Sequence, residues 1–173
     1  MGQGIDYAQV PTAASVSIAV VAARWNAAVV EPMLAECQAA LRQAGVQDLQ
    51  VVRVPGAFEL PVAAARLAPH CDAVICIGAV IRGDTPHFDY VAGEAARGIQ
   101  QVAVTTGVPV LFGVLTTDTA AQAEERADPR RGNKGREFAL SALETVLALA
   151  AWPPAVAGRA DASLTGMPCA GVE

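Results

Sequence analysis

Apolar residues in this chain gather into four short continuous runs, SVSIAVVAA (15–23), LQVVRV (49–54), DAVICIGAVI (72–81) and PVLFGVLT (109–116). Runs of that length, rich in β-branched residues, read as strands covered on both faces. Between them the pattern changes to a helical repeat. Val30, Met33, Leu34, Cys37, Leu41 and Ala44 recur at the spacing of one helix face, with Pro32 expected in the first turn and Gly45 at the stop. A short helix is predicted from the PGAFELP turn (55–61) to about Ala68, and a long one from Pro86 to about Thr106. Thr119 with Gln122 three residues on predicts a capped helix to about Ala127. GREFALSALETVLALAAW (135–152) predicts a final amphipathic helix, ended by Pro153 and Pro154. Strands that alternate with helices make a parallel sheet with right-handed crossovers and helices on both faces. The expected organisation is an arm over residues 1–14, one domain over 15–152 and a small-residue tail over 153–173.

Composition sharpens this picture. At 173 residues the chain suits a single core, and 53% hydrophobic against 17% charged residues is apolar for that size. The excess predicts surface covered a second time, against other subunits. A formal net charge of −5 argues against nucleic acid, whose partners carry a basic face. No apolar run is long enough to span a bilayer, and MGQGIDYAQV lacks the basic start of a secretory signal. It also has Asp6 where a myristoylation signal wants Ser or Thr. Cys37, Cys71, Cys76 and Cys169 form no CxxC pair and read as small hydrophobes in a reducing compartment. The expectation is a cytoplasmic protein without a metal site.

In a parallel sheet the carboxyl ends of all strands share one edge, and ligands bind there. The residues leaving the four strands are Trp25; Gly56, Ala57, Phe58 and Glu59; Arg82, Gly83, Asp84, Thr85 and His87; and Thr116, Thr117 and Asp118. Two aromatic faces, loop amides, a carboxylate and an imidazole suit a flat polar heterocycle. Each residue also has a plainer reading: Trp25 and Phe58 as core or interface aromatics, Gly56 as a turn residue, Glu59 as an acid favoured in a helix's first turn, His87 as a solvated side chain. Asp89 is placed to hold His87 in one tautomer; His70 falls at the opposite edge. The segment EERADPRRGNKGRE (124–137) reads either as a solvated loop or as an anion clamp built on Arg126 and Lys134. It contains neither GxxxxGK[ST] nor GxGxxG, so a nucleotide cradle is not supported.

GAFELP (56–61), GAVIRGDTPHFDYV (78–91) and GVLTTDTAAQAEERADPRRGNKG (113–135) resemble, in order and spacing, the signature segments of the 6,7-dimethyl-8-ribityllumazine synthase family, over about residues 15–152. The resemblance implies a flavodoxin-like three-layer α/β/α sandwich with a four-stranded parallel sheet. It implies a transferase of riboflavin biosynthesis that condenses 5-amino-6-(D-ribitylamino)uracil with 3,4-dihydroxy-2-butanone 4-phosphate, releasing phosphate and water without a metal or organic cofactor. Homopentamers with sites between neighbours are implied, with a 60-subunit icosahedral shell and a riboflavin synthase partner left open. Carried onto this chain, Trp25 takes the place of the aromatic that stacks on the pyrimidine. Ala57, Phe58 and Glu59 match the segment binding the uracil edge and ribityl chain, and Ala79, Val80 and Ile81 the strand end beside the ring. Asp84 and Thr85 match the turn near the phosphate substrate and His87 the catalytic histidine. Phe112 matches the aromatic contributed across the interface, with Arg126 and Lys134 the phosphate-binding cations. The stacking position is more often Phe, and the Pro129–Arg131 segment and tail depart from the pattern. Trp25 and the apolar composition therefore leave open a flavin-binding or shell-forming relative without catalysis. A flavodoxin-like electron carrier would want a phosphate-cradling loop after the first strand, which RWNAAVVEP (24–32) does not offer.

Overall fold

The computed structural model describes residues 12–152. Most of the expected arm, the expected tail and Cys169 lie outside the described residues. The elements run β1 (Ser17–Ala23), α1 (Ala27–Gln43), β2 (Asp48–Val54), a 3₁₀ turn at Ala57–Glu59, α2 (Leu60–Leu67), a 3₁₀ turn at Ala68–His70, β3 (Ala73–Ile81), α3 (His87–Thr106), β4 (Val110–Thr117), α4 (Ala120–Ala127) and α5 (Lys134–Ala150). All four strands are parallel, in the order β2-β1-β3-β4. This is the α/β/α sandwich that the alternation of runs and repeats predicted.

The position of each strand explains its composition. β1 and β3 are interior strands and are almost wholly buried, as their unbroken apolar runs require. β2 is an edge strand, its residues exposed or half-buried, and can carry Gln50 and Arg53. Alternate side chains serve two cores. Ile18, Val20, Ala22, Ile75, Ile77 and Leu115 pack with α1, α4 and α5. Ala19, Val21, Val74, Cys76, Val80 and Val114 pack with α2 and α3. The strand period of two therefore distributes one sheet between two helical layers.

Two details of α1 depart from expectation or extend it. The helix begins at Ala27, so Pro32 lies inside it rather than in its first turn. Its ring nitrogen cannot donate to the Ala28 carbonyl, a loss tolerated because Ala28 is exposed and water can take that carbonyl. Lower down, α5 crosses α1 so closely that a Cβ on Gly135 would overlap the Met33 carbonyl oxygen. Gly135→Ala is expected to destabilise the fold by about 1–3 kcal/mol, because neither backbone can retreat from a filled core. The midpoint of denaturant unfolding measures this, and an unchanged midpoint would exclude so close a crossing.

Candidate active site

Chain connections leave β1 toward β2 on one side, and the later strands β3 and β4 lie on the other. The crevice between the carboxyl ends of β1 and β3 is therefore the switch point of the sheet, the ordinary ligand position of such folds. The backbone there is tightly held. Arg24 N–H donates to the Val54 and Pro55 carbonyls at 2.9 and 3.1 Å, and Trp25 N–H to Pro55 at 3.0 Å. These bonds set the indole over Gly56, where a Cβ would lie 2.5 Å from Trp25 Cε3. Only glycine admits the ring. Glu59 Oε2 accepts from Gly56 N–H at 2.8 Å, which orders the turn after β2. Ala57 is buried beneath it, while Trp25 and Phe58 remain 65% and 56% exposed. Large aromatic faces held open at a strand exit are available to a ligand.

Asn26 spans the switch point. It has left-handed backbone, φ 57°, a conformation that Asn adopts more readily than most residues. From it, Nδ2 donates to the Ala79 carbonyl at 2.8 Å, tying the exit of β1 to the end of β3. Ala79 and Val80 are buried and Ile81 half-buried, while Asp84, Thr85 and His87 are exposed in the loop and at the start of α3. Among the described residues the His87 imidazole has no hydrogen-bond or ion-pair partner. The expected pairing of Asp89 with His87 is not found. Residues two apart on a helix do not face each other, and the Asp89 carboxylate turns to Arg82, Nη1 to Oδ1 at 3.3 Å. Arg82 also donates from Nε to Asp118 Oδ1 at 2.9 Å. Its guanidinium stands 4.1 Å from the centroid of the Phe88 ring. Asp118 first, and Asp89 with it, push the guanidinium pKa above its ordinary value.

A second constellation lies on α4 and α5. The Thr119–Gln122 capping box forms as predicted, with Gln122 N–H donating to Thr119 Oγ1 at 3.2 Å. Arg126 follows in the last turn of α4, its Nη1 on the Gln122 carbonyl at 3.1 Å. Asn133, with φ 39°, opens α5. It donates to Glu36 Oε2 at 3.2 Å and accepts Arg136 N–H at 3.3 Å. An open cleft of about 520 Å³ results, lined by Glu125, Arg126, Arg131, Gly132 and Lys134. Arg131 pairs with Glu125 at 2.8 Å and Lys134 with Glu137 at 2.6 Å. Three cations against one lining carboxylate give the cleft a net positive charge, suited to a phosphate.

All but one of the expected site residues thus fall into two groups. Trp25, Ala57, Phe58, Glu59, Ala79, Val80, Ile81, Asp84, Thr85 and His87 share the switch-point edge. Arg126 and Lys134 line a separate cleft that does not include His87. Their helices pack in the α1 layer, whereas α3, which begins at His87, packs in the other. Phe112 stands apart from both. It is paired with Cys76 in the middle of β4, on the side facing α2 and α3, and is 38% exposed because β4 is an outer strand. Asn26 escaped the reading of the sequence, since its acceptor lies 53 residues away. Arg82 and Asp118 were assigned to strand exits without a role, their contact spanning 36 residues. No local spacing announces either pairing.

The described cysteines are free thiols in or near the core. Burial pushes the Cys37 and Cys76 thiols up to about 12, so they are neutral core side chains. Cys71 is half-buried with Sγ 3.4 Å from the Leu67 carbonyl. Among the described residues, no group of three or more His, Cys, Asp or Glu is placed to hold a metal ion. No described helix is long and apolar enough to cross a membrane.

Comparison with known proteins agrees with this architecture. Residues 15–150 match the family model of 6,7-dimethyl-8-ribityllumazine synthase. A protein of that name from Kineococcus radiotolerans is 60% identical over 135 residues, covering 76% of this chain and 84% of the relative. One from Paenarthrobacter aurescens is 48% identical over 139 residues, 79% and 86% of the two chains. One from Pseudarthrobacter chlorophenolicus is 50% identical over 134 residues, 76% and 83%. The match takes in every described strand and helix from β1 to α5, and the chain belongs to the 6,7-dimethyl-8-ribityllumazine synthase family.

Proposed function

We propose that the switch-point edge binds 5-amino-6-(D-ribitylamino)uracil and condenses it with 3,4-dihydroxy-2-butanone 4-phosphate to 6,7-dimethyl-8-ribityllumazine, a step of riboflavin biosynthesis. The activity follows from membership of the family. The observation that carries its location is the open indole of Trp25 at the β1/β3 crevice, seated on Gly56, whose N–H donates to the Glu59 carboxylate. The indole stacks on the pyrimidine. Phe58, Glu59 and the buried Ala57 border the ring edge and ribityl chain, and Ala79, Val80 and Ile81 form the floor. A ring amine and the ketone join as an imine with loss of water, phosphate leaves, and the second amine closes the ring with loss of water. Every stage moves protons, and the exposed His87 imidazole, at the open end of the crevice, is the group placed to exchange them. Asp84 and Thr85 border the phosphate ester. Arg126 and Lys134 take the charge of the departing phosphate.

These last two come from the neighbouring protomer in this reading. In one chain their cleft excludes His87, and Phe112 lies in mid-strand, away from the strand exits. Val62 and Val104, 70% and 72% exposed on α2 and α3, supply apolar surface for a partner to cover. The reading is a cytoplasmic homopentamer, with the 60-subunit shell as its larger form. Mixing purified protein with both substrates is expected to give lumazine fluorescence and release phosphate. Light scattering is expected to show five subunits or a multiple of five. Absence of fluorescence and phosphate would overturn the activity; a monomer that turns over would overturn the shared site.

A further inference from the structure

We infer that Arg82 is a positioning residue, clamping the loop that presents His87 to the loop that starts α4; this rests on the proposed role of His87. Four contacts converge on one residue. Its backbone N–H donates to the Thr117 carbonyl at 2.9 Å, continuing the β3–β4 ladder beyond the strand. Its guanidinium donates to Asp118, which precedes the cap of α4, and pairs with Asp89, in the first turn of α3. The same group lies over the Phe88 ring, 4.1 Å from its centroid. Phe88 directly follows His87 in the chain. The start of α3 is thus gripped at two successive residues on the carboxyl side of the imidazole, and the grip is anchored on the far loop.

Stability does not account for this arrangement. The side chains of Arg82, Asp89 and Asp118 are 44%, 63% and 71% exposed, and exposed ion pairs contribute little to folding. Geometry does. Arg alone combines a fork that reaches two carboxylates with a flat face that covers a ring. Without the clamp, residues 82–87 hang between the end of β3 and α3 with exposed side chains, and the imidazole loses its fixed bearing on the crevice. Errors of about an ångström in such placement cost catalysis heavily.

The test is a mutant cycle on the assembled enzyme. Arg82→Met is expected to lower kcat about tenfold while KM for either substrate changes less than about twofold. Arg82→Lys is expected to recover only part of the loss, since an ammonium has neither fork nor flat face. Asp118→Ala, which removes one anchor from an exposed site, is expected to lower kcat about threefold and carries the same cycle if Arg82→Met fails to fold. In a His87→Ala background, either change is expected to reduce kcat by less than about twofold further, because the group it positions is gone. Undiminished kcat for Arg82→Met and Asp118→Ala, or their full effect in the His87→Ala background, overturns the inference while leaving the site reading intact. An unchanged kcat for His87→Ala itself overturns both.

Discussion

Replacing His87 by alanine is expected to lower kcat by about 10²–10⁴-fold, the usual contribution of a general acid–base group, with a far smaller change in KM. The imidazole is exposed at the first residue of α3, beside the crevice, and no described side chain occupies its ring nitrogens. In the proposed mechanism it is therefore free to take and return protons as the imine forms, phosphate leaves and the ring closes. In the proposed site, binding falls mainly to other groups: the Trp25 and Phe58 faces, the Glu59-ordered turn and the cationic cleft. Losing a proton shuttle should consequently appear in turnover rather than affinity. Steady-state fluorescence of product formation, with each substrate varied, separates the two constants. A variant with wild-type kcat would remove His87 from the mechanism.

Arg126→Ala is the second large effect, an expected loss of about 10–100-fold in kcat/KM for the butanone phosphate with little change for the uracil. Charge-assisted hydrogen bonds are each worth about 1.5–3 kcal/mol, and Arg126 commits only Nη1 to the Gln122 carbonyl in the described structure. The rest of its fork faces a cleft it shares with Lys134 and Arg131. Phosphate-release kinetics check the prediction, and equal values for variant and parent would show that the cleft does not serve the ester. Lys134 alone is a weaker substitute, since its ammonium is already paired with Glu137 at 2.6 Å and offers no planar fork.

Much of this molecule was legible before any fold was known. β1 and β3 declared themselves because both of their faces are buried, leaving no polar position to interrupt the apolar run. The Thr119–Gln122 cap could be read because its donor and acceptor are three residues apart. His87, Trp25 and Glu59 were recognisable as an edge group because parallel strands must deliver their exits to one side. Pro32 was misplaced by a turn, since the start of α1 depends on Asn26, whose left-handed backbone is set by a hydrogen bond to distant Ala79. Asp89 was misassigned for a similar reason: proximity in sequence suggested His87, while helical geometry turned the carboxylate to Arg82.

By itself, the order of apolar runs and helical repeats determined the layers, the strand direction and the edge at which the strand exits gather, because each depends on local periodicity. Only the tertiary structure decided which side chains meet across that edge: Asn26 with Ala79, Trp25 with Gly56, Arg82 with Asp118. It also set the Arg126–Lys134 cleft apart from His87 within one chain. Such pairings follow from chain reversals and helix crossings that bring residues tens of positions apart within hydrogen-bond range, and no spacing along the sequence encodes that distance.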